Sequence, residues 1–427
     1  MRIHVDDIRP QLICEVQDEE FGRLGYLVID RTLGDVAIGG IRQAPNVTIE
    51  EVAYLARAMT LKCSFLKLWM GGAKAGIAVP EPLITARRRE ILAAFGRSLG
   101  PLLRTNIYAA GQDLGISEED VHIIRAGAGL PRATACTDSA HYTALTVVEA
   151  IRQTLSSQGR ALTDSTVAIE GFGRVGSSVA ELLAKQGASI VAVSTCEGAI
   201  YNPAGLDVEQ LGALGNLHGD HVVTEYRAAE KLDLADLLLL DVSILVPCAR
   251  PWTISAANAT ELRADMVIPG ANIPVTPSAE EILSERGILY LPDFVANCGG
   301  VLAASMTHSG FRGEDIQGVI REEFARKVSR VLEEAQARNV APADIAREVA
   351  WQNFHDIAWQ LDNREPGIRA LLQKTLRRGA QASLERAASI VYKRGLLRWD
   401  PVHRLALLDT KNAMLGDGPP RSSRCSR

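Results

Sequence analysis

The spacing of apolar residues divides the first part of the chain into short strands and one long helix. Apolar runs at 12–17 and 24–30 are short and bounded by glycine, and this pattern predicts two strands. Asn46 is a capping residue type, and the apolar positions that follow it recur at helical spacing. The pattern therefore predicts a helix that carries Lys62 near its end.

Two glycine-rich segments follow this helix and carry the next charged candidates. Gly71 and Gly72 interrupt the helical pattern just before Lys74, which predicts an apolar turn around that lysine. Further on, Asp113 is flanked by glycines on both sides, and we expect it on a loop. Both charged residues thus stand in segments where the backbone can approach other groups closely.

From about residue 165 the pattern changes to strand, glycine turn, helix and strand. This order is typical of a parallel nucleotide-binding sheet. The predicted elements are a strand at 167–170, a turn at 171–176, a helix at 177–185, and strands at 189–193, 236–247, 266–270 and 288–291. Long amphipathic helices are predicted at 314–361 and 367–393, and the polar segment 416–427 is predicted to be a disordered tail.

Length and composition favour an ordinary globular protein with two domains. A chain of 427 residues exceeds what one hydrophobic core usually organises. No apolar run reaches the roughly 18 residues that span a bilayer, so we expect no membrane association. The net charge of −5 and the pI near 6.0 remove the electrostatic basis for general nucleic-acid binding.

The seven cysteines and the N-terminus bear on the cellular compartment. The cysteines occur singly, without a C-x-x-C pair, which favours reduced thiols over a disulfide framework or a zinc site, so no metal site is expected. Acidic residues occupy the N-terminal stretch where a signal peptide would be apolar. We therefore expect a cytoplasmic protein.

The turn at 171–176 has the G-x-G-x-x-G spacing between a predicted strand and a predicted helix. In that context Gly171 makes the tight turn, Gly173 lets the backbone approach a pyrophosphate, and Gly176 packs the helix on the strand. The sequence therefore predicts a dinucleotide site that includes the turn and the end of the next strand: Gly171, Phe172, Gly173, Arg174, Val175, Gly176, Ser194 and Thr195.

The choice between NAD and NADP is left open by this segment. An acidic residue about 20 positions after the first glycine usually binds the ribose of NAD. No such residue closes the strand at Ser194 and Thr195, although Glu197 is near enough in sequence to reach a ribose hydroxyl.

Lys62, Lys74 and Asp113 form a set with the chemistry of reductive amination. That reaction needs a cation for the substrate carboxylate, a neutral amine to handle water, and a group that passes protons. Most lysines are solvated surface charges, so the residue types alone do not establish the site. The apolar surroundings of Lys74 matter because desolvation lowers the pKa of an ammonium group towards neutrality.

Seven separated segments, in order, resemble the glutamate/leucine/phenylalanine/valine dehydrogenase superfamily. They begin at Ala58, Met70, Ala109, Gly171, Ile200, Pro269 and Pro292, and include Met70-Gly-Gly-Ala-Lys74-Ala-Gly-Ile and Ala109-Ala-Gly-Gln-Asp113-Leu-Gly. The resemblance implies that Lys62 binds the α-carboxylate, that Lys74 activates water, and that Asp113 shuttles protons. It also places three residues beside the nicotinamide or the substrate: Thr143, Asn272 and Asn297.

The resemblance also implies an α/β architecture: a Rossmann-type dinucleotide-binding domain, an α/β substrate-binding domain and a cleft between them. We expect a substrate-binding and oligomerisation domain at 1–140, an NAD(P)-binding domain at 141–340, and C-terminal helices at 341–415 that return to the first domain. The expected partners are an amino acid, its 2-oxo acid, ammonia and NAD or NADP, and the expected assembly is a homo-oligomer.

Two departures from the family pattern concern the substrate side chain. Glutamate-specific relatives have a lysine before the first Gly-Gly and a serine after the later Gly-Gly-Val, and both bind the second carboxylate. Here Ile38 precedes Gly39 and Gly40, and Ala304 stands at the serine position, with Ser305 one place later. Burying an unpaired carboxylate costs on the order of several kcal/mol, so we expect an apolar substrate side chain.

Two alternatives remain open at this point. The substrate is glutamate if another cation, such as Lys67 or Arg42, holds the distal carboxylate. A nucleotide-binding regulatory subunit without catalysis is the other alternative, although the complete set of Lys62, Lys74 and Asp113 is evidence against it.

Overall fold

The computed structural model describes residues 9–78, 85–132 and 138–363. The helix predicted at 367–393 and the tail predicted at 416–427 lie outside these residues. The strands and helices named below belong to the three described ranges.

A mixed sheet and the helices packed on it are built from the first 130 residues. The strands are β1 Leu12–Asp18, β2 Gly22–Arg31, β3 Ala37–Gln43, β4 Gly71–Ile77 and β5 Tyr108–Gln112. The helices are α1 Ile49–Phe65, α2 Thr85–Ser98, α3 Gly100–Arg104 and α4 Glu118–Gly127. The spatial order of the strands is β1-β2-β4-β3-β5, with β3 parallel to both β4 and β5. Strands β3, β4 and β5 therefore present neighbouring side chains although they are far apart in sequence.

A second, larger sheet is built from residues 166–290. Its strands are β6 Thr166–Glu170, β7 Ser189–Thr195, β8 Gly198–Tyr201, β9 Glu230–Leu232, β10 Ile244–Pro247, β11 Met266–Val267 and β12 Leu289–Tyr290. The order is β12-β11-β10-β6-β7-β8-β9, and the pairs from β12 to β7 are parallel. Strand β6 therefore lies between β7 and β10, at the point where the strand order reverses. Ligands of open parallel sheets bind at the carboxyl ends of strands at such a point.

Helices cover this sheet and continue the chain beyond it. In order they are α5 Ser139–Ser157, α6 Arg174–Ala184, α7 Val208–His218, α8 Val222–Glu225, α9 Leu234–Leu238, α10 Ala256–Ala259, α11 Pro277–Glu285, α12 Asp293–Ala296, α13 Gly299–His308, α14 Gly313–Val319, α15 Ala325–Arg338 and α16 Pro342–Asn363. The predicted α/β fold class with a Rossmann-type sheet is confirmed. The domain boundaries given above stay predictions.

The segment around Lys74 is a strand, and the prediction of a turn was wrong. Gly71 and Gly72 are the first two residues of β4. They are glycines because other backbone segments lie against them, and the chain does not turn there. A Cβ on Gly72 would lie 2.1 Å from the backbone nitrogen of Thr60 in α1. Glycine in a strand often marks such a close approach. The strand fixes the direction of the Lys74 side chain more firmly than a turn would.

Three other predictions need correction in detail. The strand predicted at 236–247 is a short helix, α9, followed by the strand β10, because an apolar run of this length does not distinguish helix from strand. The helix predicted at 314–361 is interrupted at Asn339, which has a φ of 53° and ends α15. The N-cap of α1 is Thr48 rather than Asn46, since the Thr48 side chain accepts from the Glu51 N–H.

One large hydrophobic core is shared by the second sheet and the C-terminal half of α1, whereas the first sheet has a separate core that includes Leu27, Ile41 and Ala75. Phe65 of α1, Ile169 of β6 and Ala303 of α13 belong to the same buried cluster. Helix α16 then packs on α1, and the ring centroid of Trp351 in α16 lies 5.2 Å from the guanidinium carbon of Arg57. Within the described residues, no helix is long and apolar enough to cross a membrane.

Arg57 makes a bidentate ion pair that ties α1 to β2. Its Nε and Nη2 donate to the Asp30 carboxylate at 2.9 and 2.7 Å, and both side chains are buried. We expect Asp30→Ala to lower the free energy of unfolding by about 3–5 kcal/mol, because it leaves the guanidinium charge buried without its carboxylate. Urea denaturation of the full chain, followed by circular dichroism, measures the change.

The control for this measurement is Glu181→Ala, which removes an exposed ion pair with Lys185 on α6. Exposed pairs of this kind contribute about 1 kcal/mol or less. Equal effects of the two substitutions would contradict the structural role of the Arg57 pair.

Candidate active site

Four charged residues from three strands and a helix meet beside the first sheet. Asp113, directly after β5, accepts from the Arg42 Nε at 2.8 Å and lies 3.1 Å from the Lys74 Nζ. Arg42 of β3 also donates its Nη1 to Glu51 of α1 at 2.6 Å. The predicted pairing of Lys74 with Asp113 is therefore present in the structure, and Asp113 lies on a loop as expected.

Burial and neighbouring charges set the protonation of this group. Lys74 is 3% exposed, and burial lowers its pKa from the ordinary 10.5 to about 8, with Asp113 opposing and Arg42 assisting the change. Burial alone would raise the pKa of Asp113, but the charges of Lys74 and Arg42 outweigh burial and hold that pKa well below its usual range. Near neutral pH the pair thus combines an ammonium that loses its proton readily with a carboxylate that stays ionised.

Gly39 and Gly40 of β3 give Asp113 and Lys74 room. A Cβ on Gly40 would lie 2.9 Å from the Asp113 Cβ, and a Cβ on Gly39 would lie 1.7 Å from the Ala73 carbonyl oxygen. Contacts this short do not occur between real atoms, so any larger residue would displace β4 or the loop of Asp113. The glycine pair is therefore a requirement of the charged cluster.

Lys62 joins helix α1 to the loop that follows β11. It is buried on α1, and its Nζ donates to the Asn272 Oδ1 at 3.0 Å. The Asn297 Nδ2 donates to the Ala271 carbonyl oxygen at 2.7 Å and lies 3.3 Å from the same Asn272 oxygen. A Cβ on Gly270 would lie 3.1 Å from Val175, which belongs to the glycine turn after β6. The predicted substrate lysine and the predicted nucleotide turn therefore approach each other through residues 270–272.

The glycine turn has the shape that a dinucleotide requires. Gly171 has a φ of 95°. A Cβ on Gly176, in the first turn of α6, would lie 1.9 Å from the Gly171 carbonyl oxygen, so only glycine fits at position 176. Around Gly173, the N-cap of α6, no atom lies within 4 Å of an added Cβ, and no side chain caps the helix. The first N–H groups of α6 are thus available for a pyrophosphate.

The end of β7 is bonded to this turn. The Ser194 side chain accepts from the Gly171 N–H at 3.0 Å, and the Ser194 carbonyl oxygen accepts from the N–H of the buried Phe172 at 2.6 Å. The Thr195 hydroxyl donates to the Asp220 carbonyl oxygen at 2.6 Å. Residues 194–195 therefore border the glycine turn, and their place in a dinucleotide site stays a prediction.

Asn297, Thr143 and Arg174 complete the predicted cofactor set. Asn297 is buried, and its Oδ1 has no hydrogen-bond partner within the part of the chain that the structure describes. An unpaired buried amide oxygen of this kind fits a bound group that donates a hydrogen bond. Thr143 of α5 lies against Gly300, since its Oγ1 would be 3.0 Å from a Cβ at that position. Arg174 is exposed and 3.3 Å from Asp138, so it lies at the rim of the site.

Ile38 and Ala304 are the predicted contacts of the substrate side chain. Ile38 of β3 pairs in register with Gly72 of β4 and Ala109 of β5, and it is half-buried against the shared core. Ala304 of α13 is also half-buried, and its carbonyl oxygen contacts His308. Neither residue carries a charge, so neither can pair with a carboxylate of the substrate.

Two residues near the cluster were missed by sequence reasoning. Arg42 was expected only as an anchor for a distal carboxylate, but it is bonded to Asp113 and Glu51. The alternation of side chains along β3, which puts residues 38, 40 and 42 on one face, is the signal that could have found it. Asp293 is buried and accepts from the Ile273 N–H at 3.0 Å, beside Asn272. No local pattern indicates that contact.

The fold and the site together define a two-domain dehydrogenase that uses a dinucleotide. A family model described as glutamate/leucine/phenylalanine/valine dehydrogenase matches residues 136–359, and the model of the dimerisation domain of the same enzymes matches residues 15–127. The chain belongs to the glutamate/leucine/phenylalanine/valine dehydrogenase family. It is an amino-acid dehydrogenase that uses NAD or NADP.

Named relatives include enzymes of both cofactor types. The chain is 34% identical to NADP-specific glutamate dehydrogenase A1 of Halobacterium salinarum, over 70% of this chain and 73% of that one. It is 30% identical to NAD-specific glutamate dehydrogenase A of the same organism, over 73% and 76%. Among solved structures, hetero-hexameric glutamate dehydrogenase from Thermus thermophilus aligns with a TM-score of 0.70 and 25% identity, over 85% and 94% of the two chains.

The contact of Arg42 with Asp113 gives a testable pH dependence. The charge of Arg42 helps to keep the pKa of Lys74 low, so Arg42→Gln should raise that pKa. If the neutral lysine is the active form, the acid limb of kcat/KM then moves to higher pH, and kcat/KM at pH 7 falls by roughly tenfold. The profile is measured for amino-acid oxidation between pH 6 and about pH 10.

Arg132→Gln is the matched control, since Arg132 pairs with Glu119 on the exposed surface. This substitution should leave the acid limb in place. An Arg42→Gln profile that coincides with the wild-type profile would show that Arg42 does not influence the titrating group, and a shift to lower pH would contradict the predicted direction of its effect.

Proposed function

We propose that this enzyme catalyses the reversible oxidative deamination of an L-amino acid with an apolar side chain to its 2-oxo acid and ammonia. The observation that carries the proposal is the buried Lys74 ammonium, 3.1 Å from Asp113 and with its pKa lowered to about 8. A group that exchanges protons efficiently near neutral pH needs a pKa close to the working pH.

Lys74 and Asp113 are proposed to move the protons of the reaction. The chemistry that NAD or NADP supplies when bound is acceptance of the hydride from the substrate Cα. The neutral Lys74 amine takes a proton from the water that attacks the resulting imine carbon, and Asp113 relays protons between the lysine, the departing amine and solvent. Arg42 keeps the Asp113 carboxylate in place at 2.8 Å, so it is a positioning residue.

Lys62 is proposed to hold the substrate α-carboxylate. It is buried, it acts electrostatically on Lys74, and its Nζ donates to the Asn272 Oδ1, in the loop after β11, at 3.0 Å. A substrate bound there would lie between the proton-transfer pair and the nicotinamide region near Asn297. Holding the carboxylate on a buried ammonium fixes the Cα relative to both groups.

The preference for an apolar side chain rests on Ile38 and Ala304. A glutamate substrate brings a second carboxylate, and neither of these residues can pair with it. Leaving that charge unpaired in a half-buried pocket costs on the order of several kcal/mol. An aliphatic or aromatic side chain meets no such penalty.

Glutamate is the second candidate, and the names of the relatives favour it. Arg42 is an unsuitable anchor for the distal carboxylate because it is already bonded to two carboxylates. Lys67 follows α1 and lines a cavity with residues of α15 and α16. Glutamate binding would therefore require a cation that approaches the Ile38 region when substrate binds.

The assembly and the cellular compartment are also proposals. We propose a homo-oligomer, supported by the match of residues 15–127 to a dimerisation-domain model. The similar Thermus thermophilus enzyme is a hetero-hexamer, which supports an oligomeric assembly but not the identity of its subunits. We propose a cytoplasmic location, supported by the unpaired cysteines Cys14, Cys63, Cys196, Cys248 and Cys298.

The two lysines should differ in their kinetic effects. Lys74→Ala removes the proton-transfer group, and we expect kcat to fall by at least about 10³-fold with cofactor binding unchanged. Lys62→Ala removes a carboxylate contact, and the larger change should be in KM. Steady-state kinetics and calorimetric titration with the cofactor measure these effects. Near-normal kcat in Lys74→Ala would refute the proposed chemistry, and wild-type cofactor binding without any turnover would instead favour a regulatory subunit.

Substrate choice is tested with a panel of amino acids and a reversal variant. For the wild type we expect kcat/KM for leucine, valine, phenylalanine or tryptophan to exceed that for glutamate by about 100-fold or more. Ile38→Lys with Ala304→Ser should improve glutamate turnover relative to the apolar substrates, since it adds a cation and a hydrogen-bond donor. A wild type that turns over glutamate fastest would reject the apolar preference and select the second candidate.

A further inference from the structure

Two residues with strained backbones lie side by side at the contact between α1 and the second sheet. Trp252, in the loop after β10, has a φ of 55°, and Ile273, in the loop after β11, has a φ of 46°. Bulky and β-branched residues rarely adopt this left-handed region, because the side chain then lies too close to the backbone. The Trp252 N–H donates to the Ile273 carbonyl oxygen at 2.9 Å, so the two strained residues are directly bonded.

The conformation of Ile273 is held from three directions. Its N–H donates to the buried Asp293 carboxylate at 3.0 Å, and its carbonyl oxygen accepts from Trp252. Its side chain is buried and packs with Leu55 and Ala58 of α1 in a small apolar cluster. Strained residues persist only where the surrounding structure over-determines them, and they are frequent at ligand clamps. The fold therefore retains an unfavourable backbone conformation at this point of the chain.

Trp252 is fixed at its own end of the contact. Its ring meets the Tyr54 ring of α1 edge-on, with centroids 6.1 Å apart and an interplanar angle of 89°. The next residue, Thr253, is buried and donates its hydroxyl to Glu170 at 3.0 Å. Glu170 is the last residue of β6, directly before the glycine turn. The loop of Trp252 thus links α1 to the start of that turn.

This contact lies next to the predicted carboxylate site. Tyr54, Ala58 and Lys62 are spaced four apart on α1, so they share one face of the helix. Asn272, which accepts from the Lys62 Nζ at 3.0 Å, directly precedes Ile273. The backbone conformation of Ile273 therefore sets where Asn272 lies relative to Lys62.

We propose that Trp252 and Ile273 are positioning residues for substrate binding. Packed on α1, the strained pair holds Asn272 against Lys62 and so fixes the ammonium that receives the substrate carboxylate. This role rests on the proposed function of Lys62 as the carboxylate anchor. A backbone held on three sides leaves Asn272 little freedom, and contacts that are ordered in advance hold a substrate in one geometry.

The test is steady-state kinetics of the full-length enzyme with the amino acid that it oxidises fastest. Ile273→Ala removes the packing on α1 and leaves a residue that disfavours a positive φ. We expect KM to rise by about tenfold or more, with kcat changed by less than about threefold. Ile273→Val keeps the branched side chain and should stay within about threefold of the wild-type KM.

Trp252 gives a second pair of variants. Trp252→Ala removes the ring that meets Tyr54 and should raise KM as Ile273→Ala does. Trp252→Phe keeps an aromatic ring at the contact and should retain a KM close to that of the wild type. Because Trp252 is only half-buried, these two variants carry the test if Ile273→Ala fails to fold. Circular dichroism and calorimetric titration with the cofactor check the fold of each variant.

A double-mutant cycle shows whether the effect passes through Lys62. In a Lys62→Ala background, Ile273→Ala or Trp252→Ala should raise KM by less than about twofold, because the ammonium that the pair positions is already absent. Val275→Ala is the matched control, since Val275 is as buried as Ile273, lies two residues further along and packs in a different cluster. It should leave KM unchanged, whereas a general loosening of the loop would raise KM in both variants.

The proposal is overturned if Ile273→Ala and Trp252→Ala keep the wild-type KM, or if they raise KM as strongly without Lys62 as with it. Equal effects of Ile273→Ala and Val275→Ala would also overturn it, because they would reduce the strained pair to a packing role. None of these results would affect the proposed deamination, which requires only that the wild type turns over and that Lys74→Ala does not. A wild type without turnover would instead reject the proposed function, and the positioning role with it.

Discussion

The contact between the buried Lys74 ammonium and the Asp113 carboxylate is the interaction on which the site depends. Burial disfavours the charge on the lysine, and the carboxylate limits that effect, so the pKa of Lys74 settles near 8 rather than lower. Arg42 and the glycine pair at 39–40 keep Asp113 within reach. All of these residues come from β3, β4 and the end of β5, which are adjacent because β3 pairs in parallel with both other strands. The strand order of the first sheet therefore brings together the residues that are proposed to carry out the chemistry.

The second requirement is that this cluster meets a dinucleotide, and α1 provides the connection. Its C-terminal half packs into the core of the second sheet, and Lys62 reaches Asn272 from there. Residues 270–272 in turn lie against the glycine turn after β6 through Gly270 and Val175. A substrate carboxylate on Lys62 would therefore be held at the boundary between proton transfer and hydride transfer. This arrangement brings the lysine set and the glycine turn, which are far apart in sequence, into one proposed site.

Substrate choice is separable from this machinery. The groups proposed to handle the α-amino and α-carboxylate functions are all present, while the position before Gly39 is an isoleucine. Overall similarity to relatives whose names specify glutamate reflects the whole chain, and one position in the side-chain pocket contributes little to it. An uncharged residue at that position raises the free-energy cost of binding a second carboxylate. The same substitution hardly alters the overall sequence identity.

The sequence alone determined the α/β class and the glycine turn, and it nominated Lys62, Lys74 and Asp113 as candidates, because each has a local pattern or a motif. It did not determine that Lys74 lies in a strand, since Gly71 and Gly72 resemble a turn until α1 is seen to pack against them. The run at 236–247 was misassigned because a short apolar stretch suits helix and strand equally. Only the tertiary structure decided that Arg42 bonds Asp113 and that Asp293 supports the segment of Asn272. Those contacts join residues that are distant in sequence, and local periodicity contains no information about which distant charges will meet.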